Sequence, residues 1–159
     1  LDNKEFFPIE ISIKKDHNGN SISQENLINP LNVLKNLCQF SFNDKKIIHM
    51  LIENYQIDGK NYSFLPENLK CNNFCLDIKF ICLSKNLIEH YESILKRYHI
   101  LVNQILNAEY IEQFQDQQNP NIYTTASRII SGYNNNEISL VNKTLKSKGF
   151  FEKFFDLFS

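Results

Sequence analysis

The sequence predicts an α+β domain: a small antiparallel or mixed sheet with two helices packed on it, followed by a tether and a C-terminal amphipathic helix. Three observations predict it. Period-two apolar segments alternate with period-3.6 segments in the order β-α-β-β-α-β over residues 1–106. The pattern then weakens into polar sequence. Finally, the chain ends on its most apolar stretch, "SKGFFEKFFDLFS".

Each element has a local cause. "FFPIEISI" (6–13) alternates apolar and polar residues after Pro8, as a half-buried strand does. "DHNGN" is a turn. Ser21 or Ser23 can cap the next segment, in which Leu27, Leu31, Leu34 and Leu37 recur at helical spacing. Pro30 lies early in it, so the helix is expected to start late or to kink. "KKIIHMLIENYQIDGK" (45–60) is β-branched and apolar up to Asp58-Gly59, which reads as strand then turn. In "NFCLDIKFICL" (73–83), Phe74, Leu76, Ile78 and Phe80 share one face. Ser84 is placed to cap a helix whose stripe is Leu87, Ile88, Tyr91, Ile94, Leu95 and Tyr98. "ILVNQIL" (100–106) reads as a further short strand, and "TTASRIISGY" as one short helix ending at Gly132. The expected organisation is a domain over 6–110, a linker with a short helix over 111–148, and a helix over 149–159.

Composition narrows the function. A length of 159 residues allows one ordinary domain with appendages, and a separate catalytic domain is not expected. The formal net charge of −1 gives no global field for nucleic acid. Asn, Ile and Lys are abundant while Ala, Gly and Pro are scarce, so single Asn or Lys residues carry little weight. Nothing near Leu1 combines a basic start with an apolar run, and a cytoplasmic fragment is expected. No stretch approaches the ~20 apolar residues of a spanning helix. Cys38 and Cys82 sit in apolar runs, as core thiols do. Cys71 and Cys75 in "CNNFC" lack a second ligand pair, so no metal is expected. His49, mid-strand, reads as a satisfied core or edge residue; His17 lies in a turn and His90 on the polar side of its helix. No nucleophile-base arrangement or paired carboxylates stand out, and no enzyme is expected.

The terminal segment carries the sharpest expectation. Wound as a helix, Phe150, Phe151, Phe154, Phe155, Leu157 and Phe158 fall in an arc of about 160°, with Glu152, Lys153, Asp156 and Ser159 opposite. Lys143, Lys146 and Lys148 precede it, close enough to meet anionic headgroups. The membrane-binding set is therefore Lys146, Lys148, Phe150, Phe151, Lys153, Phe154, Phe155, Leu157 and Phe158, lying in the interface of an anionic membrane surface. Packing onto the domain and docking in a partner's groove are the alternatives. One such helix binds weakly and reversibly, so useful anchoring calls for several copies.

Four stretches resemble the FtsA family, the actin-like proteins that tether the FtsZ ring to the bacterial inner membrane. "NGNSISQENL" matches it at Ile22, Ser23 and Glu25, and "KKIIHMLIENYQIDGK" at Ile47, Ile48, His49, Tyr55, Ile57, Asp58 and Gly59. "LDIKFICLSKNLIEHYESILKRYHILVNQILNAEY" follows the family's strand, its helix start at Asn86-Leu87 and its small residue at Ala108. "NPNIYTTASRIISGY" resembles a Thr-Ala helix near the family's C-terminus, before a tether and an amphipathic tail. The first three stretches correspond to the inserted subdomain 1C, of SHS2 type.

The resemblance spans roughly 9–110 and 119–159. It implies a cell-division protein at the cytoplasmic face of the inner membrane, with FtsZ and other division proteins as partners, self-association within reach, and no nucleic acid. The helix at 84–98 and the strand at 74–83 are the surfaces it points to. The family binds ATP through actin-like portions that this sequence lacks, so no cofactor is expected here. Ser127-Arg128 and Glu67-Asn68 replace family glycines or apolar residues. A soluble SHS2-type adaptor whose Phe-rich end docks on protein, a PilM-like assembly factor, and a truncated gene fragment are the other readings.

Overall fold

The computed structural model describes residues 3–66, 69–115 and 121–138. After a short 3-10 turn at Asn3–Glu5 come β1 (Phe6–Asp16), α1 (Gln24–Ser41), β2 (Lys45–Ile57), β3 (Lys60–Tyr62), β4 (Asn73–Ser84), α2 (Lys85–Lys96), α3 (Ala108–Glu112) and α4 (Ile122–Ile130). The strands form one antiparallel sheet in the order β1-β4-β2-β3. The fold is α+β.

β4 is the central strand, and its sequence shows why. From Phe74 to Phe80 every second residue is buried, with Cys75, Asp77 and Lys79 on the other face. Ile81, Cys82 and Leu83 are then buried without a break, because at this end both faces of the sheet are covered. β2 has the same property over residues 47–52. Its register against β4 shifts between Ile47 and His49 and between Ile52 and Asn54, placing Ile48 and Glu53 as bulged residues.

On the first face, Leu27, Leu31 and Cys38 of α1 pack on Met50, Ile52, Tyr55, Phe74, Leu76 and Phe80. Asn26 fixes the start of α1: its Oδ1 accepts from the Ser23 backbone N–H at 3.0 Å and hydroxyl at 2.8 Å. Ser23 is thus the N-cap residue, and the helix runs unbroken through Pro30. The late start expected from Pro30 does not occur. Burial of Leu27, Ile28 and Leu31 holds the first turns despite the lost N–H.

The second face is divided. Near the Lys45 end, Phe6, Ile48, Leu51, Ile81 and Leu83 are covered by Ile88, Tyr110 and Ile129. The other half is polar: Asp77 accepts from Ser12 Oγ and from Asn54 Nδ2, and Lys79 lies 3.7 Å from Glu10 and 3.5 Å from Glu53. The two hydroxyl and amide donors hold the Asp77 carboxyl below its usual range.

Three sequence expectations are corrected. Residues 100–106 form no strand; β3 and residues 136–138 take the β2 edge, and Ile105 packs instead against the second-face cluster. Ser84 is the N-cap residue of α2 by position, but its side chain makes no capping bond; the Lys85 N–H donates to the Asp44 carbonyl at 2.9 Å. The α2 stripe is only partly sequestered, since Ile88 is buried while Tyr91 and Tyr98 stay exposed. α3 has no counterpart among the sequence expectations; the Asn107 side chain caps it by accepting from the Tyr110 N–H at 2.7 Å.

Candidate functional site

Tyr55, Asp58 and Gly59 hold the β2–β3 side of the fold together. At the β2–β3 turn Asp58 and Gly59 adopt φ of 45° and 80°, as a two-residue hairpin turn matching strand twist requires. The Asp58 carboxylate also accepts from the backbone N–H groups of Asn72 and Asn73 at 3.0 and 2.9 Å, fixing the approach to β4. Tyr55 is buried with its hydroxyl donating to Asn136 Oδ1 at 3.2 Å; burial raises its pKa.

His49 lies at the centre of a buried network. The Asn107 backbone N–H, which can only donate, points at His49 Nε2 at 3.1 Å. Nε2 therefore carries the lone pair and Nδ1 the proton, which it donates to Glu137 Oε1 at 2.8 Å. Glu137 Oε2 accepts from the Tyr110 hydroxyl at 2.7 Å, and that hydroxyl accepts from Asn134 Nδ2 at 3.0 Å. Burial, and next the Glu137 charge, raise the Tyr110 pKa. The carboxylate is thus satisfied by two donors inside the protein. A base needs a free lone pair facing a substrate; that of His49 is already engaged by a backbone amide. The arrangement clamps residues 107–110 and 134–137 to β2.

Backbone bonds complete the clamp. Glu137 bridges Leu51 in antiparallel sense, the Ile52 N–H donates to the Asn136 carbonyl at 2.9 Å, and the Ile138 N–H donates to Met50 at 2.7 Å. At Ile138 the chain is running antiparallel to β2, toward Lys45 and Lys46. Thr125, Ile129, Glu137 and Ile138 are buried, so the described part of 111–148 includes packed structure as well as connecting chain.

At that end of the sheet, Lys35, Lys45, Lys46 and Lys85 line one recess of about 490 Å³ with Gln39 and Ile47. Sequence reasoning missed this cluster, because its lysines come from α1, β2 and α2 and meet only through the fold. Asp44 is the carboxylate beside it, 2.7 Å from Lys45, whose hydrogen bond and charge hold the Asp44 pKa down. A second recess, about 300 Å³, lies between Phe6, Leu51, Lys79 and Tyr110. Glu53 and Glu109 line it as well, and Lys79 there lies 3.7 Å from Glu10 and 3.5 Å from Glu53.

The sequence candidates fall differently. Lys146, Lys148, Phe150, Phe151, Lys153, Phe154, Phe155, Leu157 and Phe158 lie outside the described residues. Cys71 belongs to the first-face core, and Cys75 occupies the opposite face of β4 from Phe74 and Leu76. Among the described residues no group of three or more His, Cys, Asp or Glu could hold a metal. Burial pushes the Cys82 thiol up to about 12, so it packs as a neutral side chain. Strand 74–83 is flanked by β1 and β2 and offers no free backbone edge; α2 keeps an exposed outer face. No helix among the described residues is long and apolar enough to cross a membrane. No protein-family model matches the chain, and no curated protein matches it.

Proposed function

We propose that this chain is a noncatalytic interaction and membrane-attachment protein of bacterial cell division, resembling FtsA. It acts at the cytoplasmic face of the inner membrane, engaging FtsZ or other division proteins through its 1C-like domain. The observation that supports this reading is the pattern of the C-terminal sequence, which follows residues held on the β2 edge. Residues 134–138 are fixed to the β2 edge, and beyond them the sequence holds a lysine-bearing stretch and a segment whose helical projection separates phenylalanines from charges. Support also comes from the matched residues: His49 bonds Glu137 and Tyr55 bonds Asn136 at that attachment, while Asp58 and Gly59 shape the β2–β3 turn. An amphipathic segment joined in sequence to a packed domain suits reversible interfacial binding.

Vesicle co-sedimentation tests it. The whole chain is expected to pellet with phosphatidylglycerol-containing vesicles, less so as salt rises, while a chain ending at Ser147 stays in solution. If the whole chain also stays in solution, the Phe-rich end docks on protein and the membrane assignment is abandoned.

A further inference from the structure

The lysine-lined end of the domain carries an aromatic surface that the fold does not use. Phe40, in the last turn of α1, is 86 % exposed, and Phe7, at the start of β1, is 45 % exposed. Lys45 Nζ sits 5.3 Å from the Phe7 ring centre, and the Phe7 and Phe42 rings are 6.0 Å apart. The recess formed by Lys35, Lys45, Lys46 and Lys85 adjoins Phe7 through Lys45, and Phe40 follows the recess residue Gln39 in α1. Set against Asp44, this end holds an excess of positive charge on a chain whose formal net charge is −1.

We propose that this end of the folded domain, through Phe7, Phe40, Lys45, Lys46 and Lys85, is itself a membrane-contacting surface for anionic phospholipid. Resting on the membrane-attachment reading, it supplies a second foothold beside the terminal segment. Three observations select lipid over another polyanion. Aromatic side chains interleaved with lysines match the headgroup boundary, where rings sit at the apolar edge and ammonium groups reach phosphate. The exposed rings protrude from a helix end and a strand end, so they can enter an interface without unfolding. The chain at Ile138, the last described residue, runs along β2 toward Lys45 and Lys46, and the lysine- and Phe-bearing segment follows it in sequence. Two linked footholds raise the effective concentration of each at the surface.

The test uses the full chain carrying Phe40→Trp. The protein has no tryptophan of its own, so emission reports that position alone. On phosphatidylglycerol vesicles the emission is expected to shift blue and to be quenched by brominated acyl chains. Adding Lys46→Glu and Lys85→Glu, both at exposed positions, should weaken binding at least about tenfold on anionic vesicles and abolish the quenching, with little effect on neutral vesicles. If the chain pellets but position 40 is neither shifted nor quenched, and the lysine variant binds unchanged, the domain surface is not a foothold; the terminal attachment then stands alone. If nothing pellets, both readings fall. Emission that responds to a duplex oligonucleotide or to polyglutamate and not to vesicles assigns the surface to another anion and overturns the proposal.

Discussion

Glu137 is the residue on which the C-terminal attachment turns. The residue is 5 % exposed, and its carboxylate accepts from His49 Nδ1 and the Tyr110 hydroxyl. Removing either partner of such a buried set leaves a polar group without its bond, which costs more than the bond itself gives. Glu137→Ala and His49→Ala should each lower stability by about 2–4 kcal/mol. The double variant should fall short of the sum by about 1–2 kcal/mol, because the second removal deletes a group already unpaired. Urea unfolding of the four proteins measures this. Additive losses would mean that the two side chains act separately. Nothing in "NNNEISL" marks Glu137 as buried; its partner lies 88 positions away in sequence, and only the fold joins them. His49 could be read as a satisfied core residue because five apolar residues surround it in β2.

Elements were legible where one face decides their fate. β4 over 74–80 and α1 bury one periodic set each, so their period and their partner agree. α2 shows the opposite case. Its stripe is real in sequence, yet only Ile88 is buried, because the sheet face it meets is shared with Tyr110 and Ile129. Residues 100–106 have strand composition but join neither edge of the sheet, and composition alone cannot report which segments pair. The lysine recess was illegible for a related reason: three elements contribute to it, and each contribution is ordinary alone. Pro30 gives a test at this scale. It withholds one N–H from the interior of α1, and its helical neighbours are kept in place by core contacts. Pro30→Ala should restore that bond and raise stability by about 1–3 kcal/mol, read as a higher thermal midpoint. A lower midpoint would show that the proline ring contributes packing that alanine cannot replace.

At the scale of the molecule, the sheet is closed by sequence from both ends of the domain. β3 covers β2 at residues 55–57, and residues 136–138 cover it at 50–52, so the residues before the tail complete the edge of the strand they launch from. An uncovered apolar edge is a template for pairing between chains. Ending the chain at Tyr133 deletes Glu137 and Ile138, leaves His49 without its acceptor, and opens residues 50–52 to solvent and to other copies. Ending it at Leu140 keeps all of these contacts. The shorter chain should elute as aggregate and lose its cooperative unfolding transition, whereas the longer one should remain a folded species by size exclusion and near-ultraviolet dichroism. If both behave alike, the edge is stable without its cover. Residues 134–138 would then be a detachable strap on β2, and the clamp around His49 would contribute little to holding the sheet together.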